Sequence, residues 1–480
     1  MDINCWKVPN DLNKILTNEM IVTRFPPENS GYLHIGHVKA LMINYVIAKK
    51  YNGKFILRYD DTNPTTETLE FQNAIHDDIG MLNIIPDQTT HSSDYFPQLI
   101  DYAEYLLTNN LAYVDNTSKA TMKIERKHCV DSKNRNNSVK DNLDQFYLMR
   151  DGLVKDSCIR IKFNMKHPTA NCRDPTIFRS IDTEHPTTGD RYHIYPTYDF
   201  ACPIIDSLEL VTHAFRSVEY SDRHEQYYFI LDLLKLRKPK LFCYGKVKFT
   251  EVILSKRKIK TLIDNDIVSS WDDPRLFTLR GLMNRGIHLS ALNQFVSTLG
   301  FSSKTPPVMT PDKLWTMNKK TIDMIASRYI CLPLDCTAIK INGFTINKEI
   351  PKYIKNPTLG SRLLYCSNTI LIDTNDYNAL KDDDEVSLLL WGNAYVSNNE
   401  LLLNDRDFKL STKKLLWLSD YIDIKINHYS NYDCNTFYYF GESALLNLNK
   451  GDYVQFLKMS YYMCTDVDID NRIVSFVQLN

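Results

Sequence analysis

"MIVTRFPPENSGYLHIGHVKALMINYVIAKKYNGKFILRYDD", residues 20–61, decides the fold. "MIVTRF" (20–25) reads as a buried strand. "PPENSG" follows as a turn, because Pro, Asn and Gly punctuate it. From His37 onward apolar side chains recur at Ala40, Leu41, Ile43, Tyr45 and Ile47. That spacing predicts a helix, though not a cleanly amphipathic one, with Gly53 as its stop. "KFILRYDD" is then a second strand ending in two carboxylates. Strand, loop, helix, strand is the unit of a parallel α/β sheet. Such sheets bind ligands beyond the carboxyl ends of their strands. Arg24, His34, His37 and Asp60 all fall near that edge.

His34 and His37 sit three apart in "GYLHIGHVKA" (31–40), and three readings are open. They grip a metal, they are unrelated histidines at a helix start, or they hold a phosphate. The eleven cysteines are scattered without a Cys-x-x-Cys, so neither a zinc site nor a disulfide framework is supported. Cys331 and Cys336, the closest pair, read as core thiols in a reducing compartment, the cytosol.

Working outward, 480 residues predict several domains of ~100–200 residues each. A 43% hydrophobic and 24% charged composition is that of an ordinary globular chain. No stretch approaches the ~20 apolar residues of a membrane span. The opening "MDINCWKVPNDLNKIL" carries neither a secretory nor an organellar address. The net charge of −1 makes any nucleic-acid surface a local matter. Lys123, Arg126, Lys127, Lys133, Arg135 and Lys140 form one basic region, and Lys256, Arg257, Lys258 and Lys260 another.

Beyond "DDTNP" the chain reads as helical to about Asn110, and residues 116–145 as a polar loop or insertion. "CIRIKFNM" alternates as a strand does, and "YPTYDFACPIIDSL" with "VTHAFRSVEY" returns to strand and helix. Residues 263–325 read as helical. From Tyr329 short strands such as "TAIKING", "NTILID" and "EVSLLLWGNAYV" predict a barrel-like all-β part.

The second chemical clue is "VILSKRKIK", residues 252–260. A short basic run alone is weak. Paired with His-Ile-Gly-His at a helix start, it fits the stabilisation of charge that builds on phosphates as pyrophosphate leaves. Imidazoles, a helix N-terminus and mobile ammonium groups all serve that end. Positioning and electrostatics dominate such chemistry. Gly36 admits a close approach to the backbone.

"HIGH" and "LSKRK" resemble the two signature motifs of class I aminoacyl-tRNA synthetases. "RFPPENSGYLHIGHVKA", "RYDDTNP", "YPTYDFACPIIDSLE", "VTHAFRSVEY" and "WDDPR" are similar to the glutamyl/glutaminyl branch, in its eukaryotic and archaeal type. "NKKTID", "NPTLGS" and "LLLWGNAYV" extend the likeness more loosely into the C-terminal half. The resemblance implies a multidomain α/β plus all-β chain. A Rossmann-like catalytic domain (18–110 and 197–262) would be split by a connective insertion (111–196) for the tRNA acceptor end. A helical stem-contact region (263–328) and a β-barrel anticodon-binding region (329–480) would follow. About 19 residues precede the first strand, so the N-terminal interaction domain of many eukaryotic relatives is not expected.

It also implies roles. His34, His37 and Lys256 would be catalytic. Arg24, Asp60, Tyr198 and Arg216 would bind the amino acid, with Asp60 on its α-ammonium group. Glu28, Asn29 and Ser30 would line the ATP side, with His34, Ile35, Gly36, His37 and Lys39. Ser217, Lys246, Val247, Leu254, Ser255 and Lys256 would meet nucleotide from the other half. Taken singly, Arg24 also reads as a strand end, Tyr198 as a core aromatic, and Asp60 with Asp61 as helix caps. A buried γ-carboxylate needs a cation, ideally a guanidinium, and Arg216 stands where the glutaminyl branch typically has none. Glutamate is therefore favoured. The implied partners are ATP with Mg²⁺, L-glutamate and the glutamate tRNA. The implied enzyme is a cytoplasmic monomer without membrane, DNA or a dedicated metal cage.

Two departures stand out. Lys246-Val247 occupies the place of an Arg-Leu pair, keeping the charge but losing the planar fork. Leu210 stands where the family often has glycine. The rival readings are a glutaminyl-tRNA synthetase, a catalytically silent tRNA-binding scaffold, and a nucleotidylyltransferase that shares the histidine motif.

Overall fold

The computed structural model describes residues 3–8, 20–302, 308–343, 347–404, 413–430 and 432–479. Residues 18, 19 and 480, at the limits of two expected domains, lie outside the described residues. The chain divides into two compact units. One holds residues 1–250 with 254–259 and 296–309, and the other the remainder.

In the first unit β1 (Val22–Phe25) and β2 (Lys54–Tyr59) run parallel, with α1 (Ile35–Lys50) between them. Ile35, Val38, Leu41, Met42, Ile43, Val46 and Ile47 are all fully buried. Such all-round burial explains why α1 shows no clean polar face. Its stop is steric: a Cβ on Gly53 would lie 2.1 Å from the Ile21 carbonyl oxygen. After α2 (Leu69–Met81) comes β3 (Gln88–His91), parallel to β2, and then α3 (Phe96–Thr108). The expectation of helix through Asn110 missed β3. "QTTH" is short and polar, so its period-2 signal is faint.

The chain then builds an antiparallel sheet of β4 (Ala112–Asp115), β5 (Cys158–Ile161), β6 (Thr176–Ser180) and β7 (Ile194–Pro196). Residues 116–145 are not a loop. They form α4 (Lys119–His128) and begin α5 (Val139–Arg150). Ser118 and Ser138 cap them, each side chain accepting a backbone N–H three residues on. α4 buries none of its residues, so its apolar periodicity is absent and only its cap was legible.

α6 (Tyr198–Leu208), β8 (His213–Ser217), α7 (His224–Leu233) and β9 (Lys240–Tyr244) complete the parallel layer, with β8 parallel to β9. Val22 and Thr212 join β8 to the edge of β1 opposite β2, the Thr212 N–H donating to the Val22 carbonyl at 2.9 Å. The spatial order is therefore β3-β2-β1-β8-β9. Strand order reverses between β1 and β8, the place where doubly wound sheets bind ligands. Leu210 gains an account here. It ends α6 at φ +59°, with Val211 N–H bonded back to the Asp206 carbonyl and Leu210 N–H to that of Ser207. This left-handed cap favours glycine, and leucine adopts it at a cost of about 1 kcal/mol.

The expected helical stretch beyond residue 263 is three separate helices, Leu279–Asn284, Leu289–Leu299 and Asp312–Asp323. In the second unit two closed sheets follow. In the seven-stranded sheet one continuous segment seals both edges: residues 327–329 pair with Tyr453–Phe456 and residues 331–333 with Asp433–Glu442. The six-stranded sheet closes where Leu371 and Leu418 exchange backbone hydrogen bonds of 2.7 and 3.0 Å. Closure removes unpaired strand edges and makes the all-β half barrel-like, as its strand pattern predicts.

Candidate active site

A cleft of about 560 Å³ opens at the carboxyl ends of β1, β2 and β8. Its floor is ionic. The fully buried Asp206 of α6 accepts from Arg24 Nε at 2.9 Å, Arg58 Nη1 at 2.7 Å and the Tyr227 hydroxyl at 2.8 Å. Burial alone would raise its carboxyl, but the Arg24 and Arg58 charges hold it down to about 2. Arg58 also pairs with Glu209, which accepts from Thr90 at 2.6 Å and Tyr95 at 3.1 Å. One end of α6 thus fastens β1, β2 and β3. Arg24 additionally donates to the Phe215 carbonyl at 3.2 Å, and its Nη2 lies 3.7 Å from Cys202 Sγ.

Arg216, at the end of β8, is in a different state. It is 4% exposed, with its guanidinium carbon 4.9 Å from the Tyr220 ring, 5.3 Å from Tyr227 and 5.9 Å from Tyr198. Its Nε and Nη1 have no hydrogen-bond partner among the described residues. A buried donor left unpaired costs about 1–3 kcal/mol, more when charged, so the group is built for an anionic acceptor.

At the N-terminus of α1 the two histidines replace the usual caps. His34 Nδ1 accepts from Gly36 N–H at 3.0 Å, and His37 Nδ1 accepts from His34 N–H at 3.2 Å. Their rings stack at 3.7 Å. Each Nδ1 is thereby an acceptor, which places the ring proton on Nε2. Burial, then the Lys256 and Lys246 charges, lowers His34 to about 3. Burial and His34 likewise push His37 well below its ordinary value. Two neutral Nε2–H donors thus stand at a helix N-terminus whose first turn holds no acid. Gly36 is needed because a Cβ would lie 2.8 Å from the His34 ring.

The opposite wall is acidic. The Asp60 N–H donates to the Pro27 carbonyl at 2.9 Å, and Asp60 Oδ1 accepts from Thr62 at 3.2 Å. Burial, with the Asp61 and Glu28 charges, pushes Asp60 up to about 7. Burial and Asp60 push Glu67 up to about 9. Lys256 reaches across 228 residues to donate to the Glu28 carbonyl at 2.8 Å and to Ser30 Oγ at 3.2 Å. Burial lowers it to about 8, against the pull of Glu28 and Glu67.

The structure brings Arg24, Glu28, His34, Gly36, His37, Lys39 and Asp60 to this cleft. From the other half come Tyr198, Arg216, Ser217, Lys246, Val247 and Lys256. Lys39 is nearly fully buried and its ammonium donates to the Gly245 carbonyl at 2.7 Å. Lys246 pairs with Glu219 at 2.9 Å, and Val247 is buried. Five expected residues are not on the cleft wall: Asn29, which bonds Gln72 at 3.3 Å, Ser30, the fully buried Ile35, and Leu254 with Ser255 ahead of the helix that begins at Lys256. Glu67, Arg179 and Tyr220 also line the cleft, and Asp206 with Arg58 stands behind Arg24; the sequence pattern points to none of the five as a site residue. Arg179 lines the wall with its Nε unpartnered, and an arginine on an alternating strand was its one signal. Away from the cleft, His167, Cys172 and Glu225 bring ligand atoms within 4.8 Å of one another. His167 Nε2 already lies within hydrogen-bond distance of Glu225 Oε1, at 3.0 Å.

A family profile described as "tRNA synthetases class I (E and Q), catalytic domain" matches residues 20–324. A second, their "anti-codon binding domain", matches residues 326–401. A probable cytoplasmic glutamate–tRNA ligase of Encephalitozoon cuniculi is 38% identical, over 93% of this chain and 74% of that protein. A bifunctional glutamate/proline–tRNA ligase of Drosophila melanogaster is 42% identical, over 83% of this chain and 24% of that one. A solved glutamate tRNA ligase from Elizabethkingia meningosepticum aligns with a TM-score of 0.45 at 16% identity, over 64% of this chain and 70% of that chain.

Proposed function

Since this chain belongs to the class I tRNA synthetases of the E and Q branch, we propose that it is a glutamate–tRNA ligase. The observation that carries the choice of glutamate is Arg216, a buried guanidinium in a tyrosine cage with two donors unpaired. A γ-carboxylate brings anionic acceptors to this guanidinium; a γ-amide brings one neutral acceptor oxygen and an NH₂ that faces a cation. Relatives named as glutamate–tRNA ligases support the same choice.

In this reading the α-ammonium group sits on Asp60, and Tyr198 walls the side-chain pocket. The α-carboxylate attacks the α-phosphorus of ATP. A carboxyl–phosphorus bond forms, the bond to the β-phosphate oxygen breaks, and pyrophosphate leaves with the electron pair. Negative charge grows on the phosphates, where His34 and His37 donate from Nε2 and Lys256 supplies the ammonium. The neutral imidazoles stabilise as preorganised donors. A ribose hydroxyl of the tRNA 3′ end then takes the glutamyl group, AMP leaves, and the hydroxyl proton is lost. Mg²⁺ would travel with the triphosphate, held by phosphate oxygens and water, since the histidines turn protonated nitrogens outward.

We assign residues 111–196 to the acceptor end, 263–328 to the tRNA stem, and 329–480 to the anticodon, where unpaired bases are readable. Among the described residues no helix is long and apolar enough to cross a membrane, and the relatives' names support a cytosolic place.

ATP–pyrophosphate exchange in the presence of tRNA tests this. Exchange that depends on glutamate is expected. Exchange with glutamine alone would hand the chain to the glutaminyl enzymes, and none with either would favour the scaffold.

A further inference from the structure

The loop between β6 and β7 folds back on itself, His185 and Gly189 exchanging backbone hydrogen bonds of 3.0 and 2.9 Å. The His185 side chain leaves this turn for the end of β2. It is 1% exposed, stacked on Tyr195 at 5.8 Å and edge-on to Phe96 at 5.6 Å. Its Nδ1 accepts from the Thr187 and Thr188 N–H groups, both at 3.1 Å. The proton is therefore on Nε2, which donates to the Asp61 carbonyl at 2.7 Å.

That carbonyl belongs to the Asp61–Thr62 peptide. Fixing it orients Thr62, whose hydroxyl donates to Asp60 Oδ1 at 3.2 Å. The Asp61 carboxylate accepts from Ser93 N–H at 2.8 Å and Ser93 Oγ at 2.6 Å, with its Oδ2 3.8 Å from His185 Nε2. The corner that carries Asp60 is thus gripped by β3's end, by the loop after β1, and by His185 from the antiparallel sheet.

We propose that His185 is a positioning residue for amino-acid binding. Through the Asp61 carbonyl and Thr62 it sets the Asp60 carboxylate to receive the substrate's α-ammonium group. The proposal rests on the reading of Asp60 given above. A packing histidine would need neither nitrogen; this ring uses both.

The test compares His185→Phe, which keeps the ring stack and loses both nitrogens, with His185→Gln, which keeps an N–H donor. Pyrophosphate exchange with tRNA gives KM and kcat for each, with Asp60→Asn measured alongside. His185→Phe is expected to raise KM for glutamate about tenfold, with KM for ATP and kcat within about twofold, and His185→Gln to recover most of the loss. An unchanged KM for glutamate in His185→Phe, while Asp60→Asn raises it, would overturn the role of His185 alone. So would equal loss in all three constants with no rescue by glutamine, which marks packing. An unchanged KM in Asp60→Asn would remove the Asp60 reading on which the proposal stands.

Discussion

Arg24 and Arg216 are both buried in one cleft, yet they are in opposite condition. Arg24 spends its donors on Asp206 and on the Phe215 carbonyl, and Asp206 shares its charge with Arg58. Arg216 faces three aromatic rings and keeps two donors unpaired. A protein stabilises the first kind of arginine with its own carboxylate and leaves the second for a ligand. The sequence reading assigned both the same role in the amino-acid pocket. Hydrogen-bond accounting separates their surroundings: Arg24 is paired with a buried carboxylate, and in the proposed reading Arg216 waits for the substrate's.

The largest effect tests the reader. Arg216→Cys should lower kcat/KM for glutamate by about 10⁴-fold, or about 5 kcal/mol, while KM for ATP stays put. A modest loss shared by both substrates would break the contrast. Next comes the floor. Asp206→Asn leaves the buried Arg24 guanidinium without its anion and Arg58 with Glu209 alone, and should cost about 3–5 kcal/mol of unfolding free energy in denaturant titration. Asp206 is depressed below its unfolded value near about 4. Its contribution is therefore full above pH about 4 and disappears as pH falls through about 2. An unchanged unfolding midpoint at pH 7 would mean the floor is not ionic.

Smaller effects sharpen the surroundings. Asp60 titrates at about 7 in the free enzyme and must be ionised to hold an ammonium group. KM for glutamate should rise as pH falls through 7, approaching about tenfold per unit, and Asp60→Asn should flatten the profile. A flat profile in the parent enzyme would contradict this. Smallest is Leu210→Gly, which relieves the left-handed cap of α6 and should add about 0.5–1 kcal/mol of stability without touching kinetics.

The strand–helix–strand unit was legible because periodicity and turn residues are local, and His34, His37 and Lys256 were legible because their motifs are short. The floor was not. Asp206 meets Arg24 across 182 residues and Arg58 across 148, and within "PIIDSLE" it looks like any helical acid. β3 and α4 escaped because neither carries a clear apolar stripe, "QTTH" being polar and "KATMKIERKH" having no fully buried residue. The left-handed φ that makes the place of Leu210 glycine-like is not written in a sequence. The tautomers of His34 and His37 were equally hidden. They follow from which backbone N–H groups meet each Nδ1, and they make both rings neutral donors.

Whether Arg216, with donors waiting, meets the side-chain carboxylate of glutamate is measured directly by a crystal structure with glutamate bound. A carboxylate oxygen is expected about 2.9 Å from an Arg216 donor, with Arg24 still on Asp206. A side-chain carboxylate resting on Arg24, or Arg216 donors left empty beside a bound glutamate, would contradict it.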